Sequence, residues 1–127
     1  MKSLEIIKYL NSQWPPSVKT LDGKALKYDI LKKSLEMSFI ANQNFCHSVD
    51  IVQGGYISAM LDAVMAYSVI GLPEVRTMVS TLELKTSYIS IGRPGLMTGR
   101  GEVIKLGKSI VFLNGKLFQN NNLITHL

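Results

Sequence analysis

Apolar and polar positions change their spacing along the 127-residue chain, and each change predicts a different element. Apolar residues recur at helical spacing over residues 3–13, and Trp14-Pro15-Pro16 ends this first helix. Residues 17–31 contain a turn at Asp22-Gly23 and are expected to form short extended pieces on either side. Residues 34–41 alternate apolar and polar side chains, which is typical of a half-buried strand. Residues 42–53 are polar and predict a loop.

The next segment is the most apolar part of the chain. Apolar residues, chiefly Ala, Met, Leu and Val, fill most positions of residues 55–70, which predicts a long helix buried on most sides. Gly71 and Pro73 end the helix. Gly54-Gly55 stands at its opening, so the central helix is placed at residues 54–71.

From Arg76 onward the period becomes two, which predicts a run of antiparallel strands. The expected strands and turns are residues 76–88, a turn at 92–95, strands 96–106 and 109–118 joined by a hairpin at Gly107-Lys108, a turn at 120–122 and a last strand from 123. A sheet that buries one face on a single helix gives an α+β fold. One helix is too little cover for a long sheet, so we expect a second subunit to complete the burial.

Composition indicates one folded domain over residues 1–127, with residues 1–16 as an N-terminal helix and proline-rich turn. Hydrophobic residues make up 46% of the chain and charged residues 18%, which excludes a disordered protein. A single cysteine, Cys46, excludes an internal disulfide framework and fits a reducing compartment, so a cytoplasmic location is expected. No apolar run is long enough to predict a membrane span, and the start of the chain does not resemble a secretory signal.

Charge is distributed unevenly along the chain, which has a net charge of +5. Residues 41–74 contain three acids and no Lys or Arg, whereas residues 75–127 contain seven basic residues and two acids. The basic half is consistent with an anionic ligand and equally with a solvated basic surface. Nucleic acid is not an expected partner, because the basic residues are scattered and no binding motif accompanies them.

Asp62 is the only charged residue between Asp50 and Glu74, and it lies within the apolar helix. A buried carboxylate is unfavourable unless it is satisfied, so either a neighbour such as Ser58 bonds to it or chemistry requires it. Eight residues of helix rise about 12 Å, so Asp62 cannot act on a carbonyl held at the Gly54-Gly55 end of its own helix. A shared site therefore requires a second chain.

The segment from Val52 to Asp62, VQGGYISAMLD, resembles the hotdog-fold acyl-CoA thioesterases of the phenylacetate-pathway type, within the 4-hydroxybenzoyl-CoA thioesterase superfamily. That family has two glycines followed by an apolar helix, with an acid eight residues after the first glycine. Residues 80–88, 93–95 and 106–109 are similar to its later strands and turns. The resemblance covers residues 20–125 and implies a hotdog fold, an antiparallel sheet wrapped around one long central helix.

The resemblance also implies a site shared by a homodimer, with a homotetramer built as a dimer of dimers as a further option. Asp62 would serve as general base or nucleophile, and the Gly54 and Gly55 amides of the other chain would hold the oxyanion. Helix N-termini suit that task because their first N–H groups are free. The substrate would be an acyl-CoA thioester. No cofactor or metal is expected, since coenzyme A is part of the substrate.

Other residues take assisting roles by the same resemblance, and each also has an ordinary structural interpretation. Gln53 replaces the family's histidine and supplies an amide donor, or is a simple loop amide. His47 stands where the family often has Asn. Ser80 lies where the family bonds its acid or water, and Thr81 points to the opposite face and is the weaker candidate. Gly107-Lys108-Ser109 would meet the CoA phosphates, or is a plain hairpin turn.

Two other function classes remain open. A hydratase or dehydratase on this fold uses a histidine near the helix start, which Gln53 argues against. A non-catalytic acyl-CoA or lipid-binding hotdog module is favoured by that same missing histidine and by a short C-terminus, since the family's last strand normally extends beyond a position like Leu127. Arg93, Cys46 and His126 are interpreted as structural residues.

Overall fold

The computed structural model describes residues 2–75 and 77–126, so Met1, Arg76 and Leu127 lie outside the described residues. Helices and strands follow one another with short connections. In chain order they are α1 (Ser3–Asn11), α2 (Pro16–Thr20), β1 (Lys24–Asp29), β2 (Ser34–Ala41), a 3-10 turn (Gln43–Phe45), α3 (Gly54–Ile70), β3 (Ser87–Tyr88), β4 (Gly95–Leu106), β5 (Val111–Gln119) and β6 (Asn122–His126). The helix predicted at 54–71 is therefore α3.

The strands form one six-stranded sheet in the order β1-β2-β4-β5-β6-β3, and every neighbouring pair is antiparallel. The longest uninterrupted register joins β2 to β4, from Ser34 opposite Glu102 to Ala41 opposite Gly95. α3 packs against the face of the sheet formed by β2, β4 and β5. The predicted α+β arrangement, a sheet with one long helix, is confirmed.

The core lies between α3 and the sheet. α3 buries one side of its surface, and alternate residues of the central strands meet it there because side chains of a strand point to opposite faces in turn. The residues that are at most 2% exposed in this layer are Leu35, Met37, Phe39, Ile57, Met60, Leu61, Val64, Val69, Met97 and Leu117.

Gly101 sets how closely α3 approaches the sheet. A Cβ atom at this position of β4 would lie 2.4 Å from the carbonyl oxygen of Val64 and 2.8 Å from the Cα atom of Met65. Both contacts are with the helix backbone, which cannot move aside as a side chain can. Only a glycine therefore lets the helix that carries Asp62 lie directly on β4.

The N-terminal segment closes the β1 side of the sheet. α1 buries Ile6 and Leu10, and the Asn11 side chain bonds to both backbone groups of Ala25, at 2.8 and 3.0 Å. α2 begins at Pro16, a residue suited to the first position of a helix. The prediction for residues 17–31 missed this short helix, although the turn lies at Asp22 as expected.

The strand predicted over residues 76–88 is mostly absent. Only Ser87 and Tyr88 are in a strand, paired with His126 and Thr125 of β6. Residues 77–86 precede the outermost strand of the sheet and have no strand partner among the described residues, so their alternating pattern has no ladder to join. The β4–β5 turn is also two residues longer than predicted. It spans residues 107–110, with the Gly107 amide donating to the Ile110 carbonyl at 3.0 Å.

Candidate active site

Contacts of the loop before α3 fix the position of the start of the helix. Cys46 and Val52 form an isolated antiparallel bridge, and the Gln53 amide donates to the Phe45 carbonyl at 2.9 Å. The Phe45 ring stacks on the ring of Tyr56, in the first turn of α3, at a centroid distance of 4.2 Å. These contacts place Gln53 as the residue immediately before the helix, with extended backbone.

A second set of contacts fixes this loop to the sheet. The Val52 amide donates to the Gly92 carbonyl at 2.9 Å. The Arg93 guanidinium forms an ion pair with Asp50 at 2.5 Å, and the Gln119 side chain accepts from the Arg93 amide at 2.8 Å. Arg93, interpreted from sequence as a solvated turn residue, is half-exposed but paired.

The first turn of α3 provides two adjacent backbone N–H donors. The Gln53 carbonyl accepts from the Tyr56 and Ile57 amides, at 3.0 and 3.3 Å. Gly54 and Gly55 precede those residues, and within residues 2–75 and 77–126 neither amide has a hydrogen-bond acceptor. A Cβ atom at Gly55 would meet nothing within 4 Å. The backbone there is open to a ligand, whereas the Gly54 Cα faces the Tyr88 ring.

Asp62 lies two turns further along α3 and is partly buried. Its Oδ1 atom accepts a hydrogen bond of 2.7 Å from the Thr81 hydroxyl. In the described part of the chain its Oδ2 atom has no hydrogen-bond donor. One carboxylate oxygen is therefore oriented by the protein, and the other is available to a water or a substrate.

Thr81, rather than Ser80, is the residue bonded to Asp62, and this reverses the order of preference derived from the sequence. That order assumed a regular strand, in which Ser80 and Thr81 point to opposite faces. Residues 77–86 are not a strand in this chain, so strict alternation does not apply to them. Ser58, suggested as a neighbour that could satisfy Asp62, instead contacts the Tyr88 hydroxyl.

Tyr88 is the site residue that the sequence reasoning missed. Its hydroxyl contacts the Ser58 hydroxyl and donates to the Gly54 carbonyl at 3.1 Å. Gly54, Ser58 and Asp62 are spaced by four residues and so share one face of α3. Segment 81–88 lies along that face, with a hydroxyl at each end bonded to it. No local spacing signals these contacts, which join residues at least 19 positions apart.

The remaining predicted residues do not contact Asp62 in one chain. His47 and Gln53 are exposed in the loop, where His47 Nδ1 pairs with the Ser48 hydroxyl at 2.9 Å. The turn Gly107-Lys108-Ser109 lies beyond the sheet end nearest the C-terminal half of α3, because β4 passes Val64 at Gly99 and Gly101 before reaching it. The turn and Gly54 are therefore at opposite ends of α3.

Asp62 and the two glycines are separated along one continuous helix. α3 runs without interruption from Gly54 to Ile70, so the eight residues between Gly54 and Asp62 span about 12 Å. A thioester carbonyl bonded to an amide of Gly54 or Gly55 is out of reach of Asp62 of the same chain. This spacing agrees with the separation derived from sequence.

The described residues contain neither a candidate metal site nor a candidate membrane-spanning helix. Between residues 2 and 126, Arg76 apart, no three His, Cys, Asp or Glu side chains are grouped so that they could hold a metal ion. Over that same part of the chain, no helix combines the length and apolar character needed to cross a membrane.

Comparison with known families decides the class. Residues 50–125, which include α3 and β3 to β6, match the model of the thioesterase superfamily. The chain belongs to the thioesterase superfamily. The matched range contains Gln53, the two glycines, Asp62, Thr81 and Tyr88, so the candidate site lies within the family's own region. Thioester hydrolysis is the general activity of this superfamily, which also includes some non-catalytic members.

Solved structures agree with this assignment. A phenylacetic acid degradation-related protein from Ralstonia eutropha is 30% identical, with a TM-score of 0.88, covering 98% of this chain and 95% of that one. Mouse thioesterase superfamily member 2 is 13% identical, with a TM-score of 0.80 and coverage of 99% and 94%. The PaaI protein of the Escherichia coli phenylacetic acid degradation operon is 13% identical, with a TM-score of 0.75 and coverage of 98% and 89%. Among curated protein sequences, none matches the chain significantly.

These relatives confirm the resemblance seen in the sequence. The thioesterases share an antiparallel sheet with one long helix, and this chain covers nearly all of each structure. The two relatives at 13% identity support the fold alone. The Ralstonia protein, together with the family match, supports membership in the superfamily.

Proposed function

We propose that the protein is an acyl-CoA thioesterase that works as a homodimer, with Asp62 as its central catalytic residue. The observation that carries this proposal is the state of the Asp62 carboxylate. It is partly buried on an apolar helix, one oxygen is held by Thr81 at 2.7 Å, and the other has no donor in the described chain. This arrangement leaves one charged oxygen open to a water or a substrate, as a general base or a nucleophile requires.

In the proposed reaction the free Asp62 oxygen takes a proton from water while the water oxygen bonds to the thioester carbon. The carbonyl oxygen then carries the negative charge of a tetrahedral intermediate. When the C–S bond breaks, the sulfur leaves as a thiolate and receives the proton from Asp62. The products are a carboxylic acid and the coenzyme A thiol. In the alternative route Asp62 attacks the same carbon directly and coenzyme A leaves as the thiolate. Water then hydrolyses the acyl–Asp62 anhydride to the carboxylic acid, and the remaining proton of that water passes to the thiolate.

The oxyanion is proposed to lie against the free amides at Gly54 and Gly55 of the partner subunit. These N–H groups are at the positive end of a 17-residue helix, where negative charge is stabilised. Because about 12 Å separates them from Asp62 of their own chain, an antiparallel pair of α3 helices across a two-fold axis is required to bring the two halves together.

Two exposed surfaces support this dimer. The side of α3 away from the sheet has several small residues beside Asp62, namely Gly55, Ala59, Ala63 and Ala66, so a second helix can approach it closely. The segment 77–86 leaves Met78 and Leu82 71% and 81% exposed and has no strand partner in the described chain. A second copy that covered both surfaces would bury apolar groups and supply the missing strand neighbour.

Assisting roles follow for the residues that surround this dimer site. We assign Gln53 as an amide donor to the substrate carbonyl, and His47 and Ser80 as groups that orient substrate or water. Thr81 orients Asp62. Lys108 and the Ser109 amide, in the turn that begins at Gly107, are assigned to the phosphates of coenzyme A, which carry the opposite charge to Lys108.

Arylacetyl-CoA thioesters are the first substrates to test. The Ralstonia relative is a phenylacetic acid degradation-related protein, and at 30% identity it is the most similar of the structures compared above. An enzyme that hydrolyses a CoA thioester of this type would act in the cytoplasm, which fits the single cysteine.

Steady-state hydrolysis of a panel of aryl, short-chain and medium-chain acyl-CoA thioesters tests the proposal. The wild-type protein is expected to turn over at least one of them, and Asp62→Asn is expected to lose nearly all turnover while its unfolding temperature is retained. Binding of acyl-CoA without turnover by the wild type would identify a non-catalytic module instead. Full activity in Asp62→Asn would show that the catalytic group lies elsewhere.

A further inference from the structure

The Tyr88 hydroxyl is bonded to one particular peptide group. It donates to the Gly54 carbonyl oxygen at 3.1 Å, and that carbonyl belongs to the same planar amide as the Gly55 N–H. The Gly55 amide has no acceptor in the described chain, and the space beside its Cα is open. One end of the peptide group is therefore bonded to Tyr88, and the other faces the proposed oxyanion position.

We propose that Tyr88 is a positioning residue that orients and polarises the Gly54–Gly55 peptide group, so that the Gly55 N–H becomes a stronger donor to the oxyanion. This inference rests on the proposed thioesterase function. A hydrogen bond accepted by an amide oxygen shifts electron density away from the nitrogen, which strengthens the bond that the N–H donates. In a trans peptide the C=O and N–H bonds point in opposite directions, so the hydrogen bond from Tyr88 and the bond to the oxyanion lie at opposite ends of the same peptide group.

The surroundings of Tyr88 fix its hydroxyl at this carbonyl. The hydroxyl also contacts Ser58 Oγ, four residues beyond Gly54 along α3. A Cβ atom of Gly54 would lie 3.3 to 3.4 Å from the nearest atoms of the Tyr88 ring. β3 holds the backbone through the Tyr88 pairing with Thr125, whose side chain donates to the Ser87 carbonyl at 2.5 Å. Tyr88 is thus anchored to the sheet at its backbone and to the helix start at its hydroxyl.

Removal of the Tyr88 hydroxyl oxygen distinguishes a polarising role from a packing role, because only the polarising role requires the hydroxyl. Tyr88→Phe keeps the ring against Gly54 and removes only the hydroxyl. It is expected to lower kcat roughly threefold to tenfold with KM changed less than twofold, because the oxyanion forms only after the substrate is bound. The pH profile of kcat is expected to keep its shape, since Asp62 is not altered.

A second readout does not depend on turnover. In a protein labelled with ¹⁵N, the Gly55 amide proton resonance is expected to move upfield in Tyr88→Phe, because its N–H becomes less polarised. Tyr9→Phe is the matched control, since Tyr9 is an exposed tyrosine of α1 remote from Gly54. In this control the Gly55 resonance and kcat are expected to equal those of the wild type.

A lower kcat together with the Gly55 shift supports the inference. An unchanged kcat, or an unchanged Gly55 resonance, in Tyr88→Phe overturns it while the thioesterase function stands. A rise in KM without a change in kcat also overturns it, because the hydroxyl would then serve ground-state binding. If the wild type hydrolyses no thioester, the proposed function fails, and the inference about Tyr88 fails with it.

Discussion

Thr81 and Asp62, 19 residues apart in the sequence, are joined by a 2.7 Å hydrogen bond from the threonine hydroxyl to one carboxylate oxygen. This bond selects which oxygen of Asp62 remains free, and it ties the segment before β3 to α3. A carboxylate with one fixed oxygen presents the other in a defined direction, which a general base or a nucleophile requires.

Replacement of Thr81 by Val removes this bond while keeping the side-chain shape. We expect kcat/KM for the best acyl-CoA substrate to fall about tenfold, since a hydrogen bond to a charged group contributes about 1.5 kcal/mol. Thr81→Ser keeps the hydroxyl and is expected to retain most of the activity. Equal rates for the Val and Ser variants would show that the hydroxyl has no role in orienting Asp62.

Gly55→Ala tests whether the open space beside the helix start is used by substrate. A methyl group there meets no atom within 4 Å, so folding is not opposed, and stability is expected to rise by about 0.5 kcal/mol. Activity is expected to fall roughly a hundredfold, because the methyl group blocks approach to the proposed oxyanion donors. Thermal unfolding and steady-state kinetics of one preparation check both parts. A stable variant with normal activity would move the oxyanion position elsewhere.

Gly101→Ala, unlike Gly55→Ala, is expected to lower the stability of the fold. Its Cβ atom would lie 2.4 Å from the Val64 carbonyl oxygen, so α3 must shift from β4 before the methyl group fits. Overpacking against backbone is expected to lower the free energy of unfolding by about 3 kcal/mol, measured by urea denaturation with Gly55→Ala as the control. Stability equal to that of the wild type would mean that α3 is not seated on this strand as described.

Tyr28 is expected to make stability depend on alkaline pH. Its hydroxyl is buried and donates to the Ser68 carbonyl at 2.6 Å, and burial, with the Glu74 charge adding to it, raises the pKa of Tyr28 far above its usual value. The folded state keeps a proton that the unfolded chain releases near pH 10, so this contribution is fully present below that pH and falls as the pH rises further. The expected slope is about 1.4 kcal/mol per pH unit.

Urea denaturation between about pH 8 and about pH 11, a range that spans the usual tyrosine pKa near 10, measures this slope. Tyr28→Phe is expected to be less stable than the wild type at neutral pH, because the Ser68 carbonyl loses its donor, and to lose less stability on going to high pH. Tyr9→Phe, at an exposed tyrosine, is expected to retain the wild-type slope. An identical slope in all three proteins would show that Tyr28 does not carry it.

The sequence predicted those helices and strands whose spacing of apolar residues is set by packing against one neighbouring layer. Residues 34–41 alternate because one face meets α3, and α3 is apolar where it packs against the sheet. The alternating pattern of residues 77–86 gave a wrong prediction of a strand, because an alternating segment forms a strand only where a partner strand exists. Within the described chain none does, and in the proposed dimer a second copy would supply one.

The candidate site was predicted where its residues are close in sequence. Gly54, Gly55 and Asp62 lie on one helix, so their spacing alone gave the distance between them, and the proposal of a second chain follows from that distance. Thr81 and Tyr88 reach α3 through tertiary contacts from an irregular segment, and no periodicity reports the direction of a side chain there. The sequence pattern therefore predicts an ordinary strand residue at Tyr88, whereas its hydroxyl donates to the Gly54 carbonyl at the start of α3.

The central claim is that Asp62 of one subunit acts on a thioester held at the helix start of the other, and subunit complementation tests it most directly. Asp62→Asn and Gly55→Ala are each expected to be nearly inactive alone. After the two variants are unfolded, mixed and refolded together, half of the dimers are expected to be mixed, each with one intact site. Activity should then recover to about a quarter of the wild-type value. If mixed dimers form and no activity returns, the two groups do not share a site across subunits.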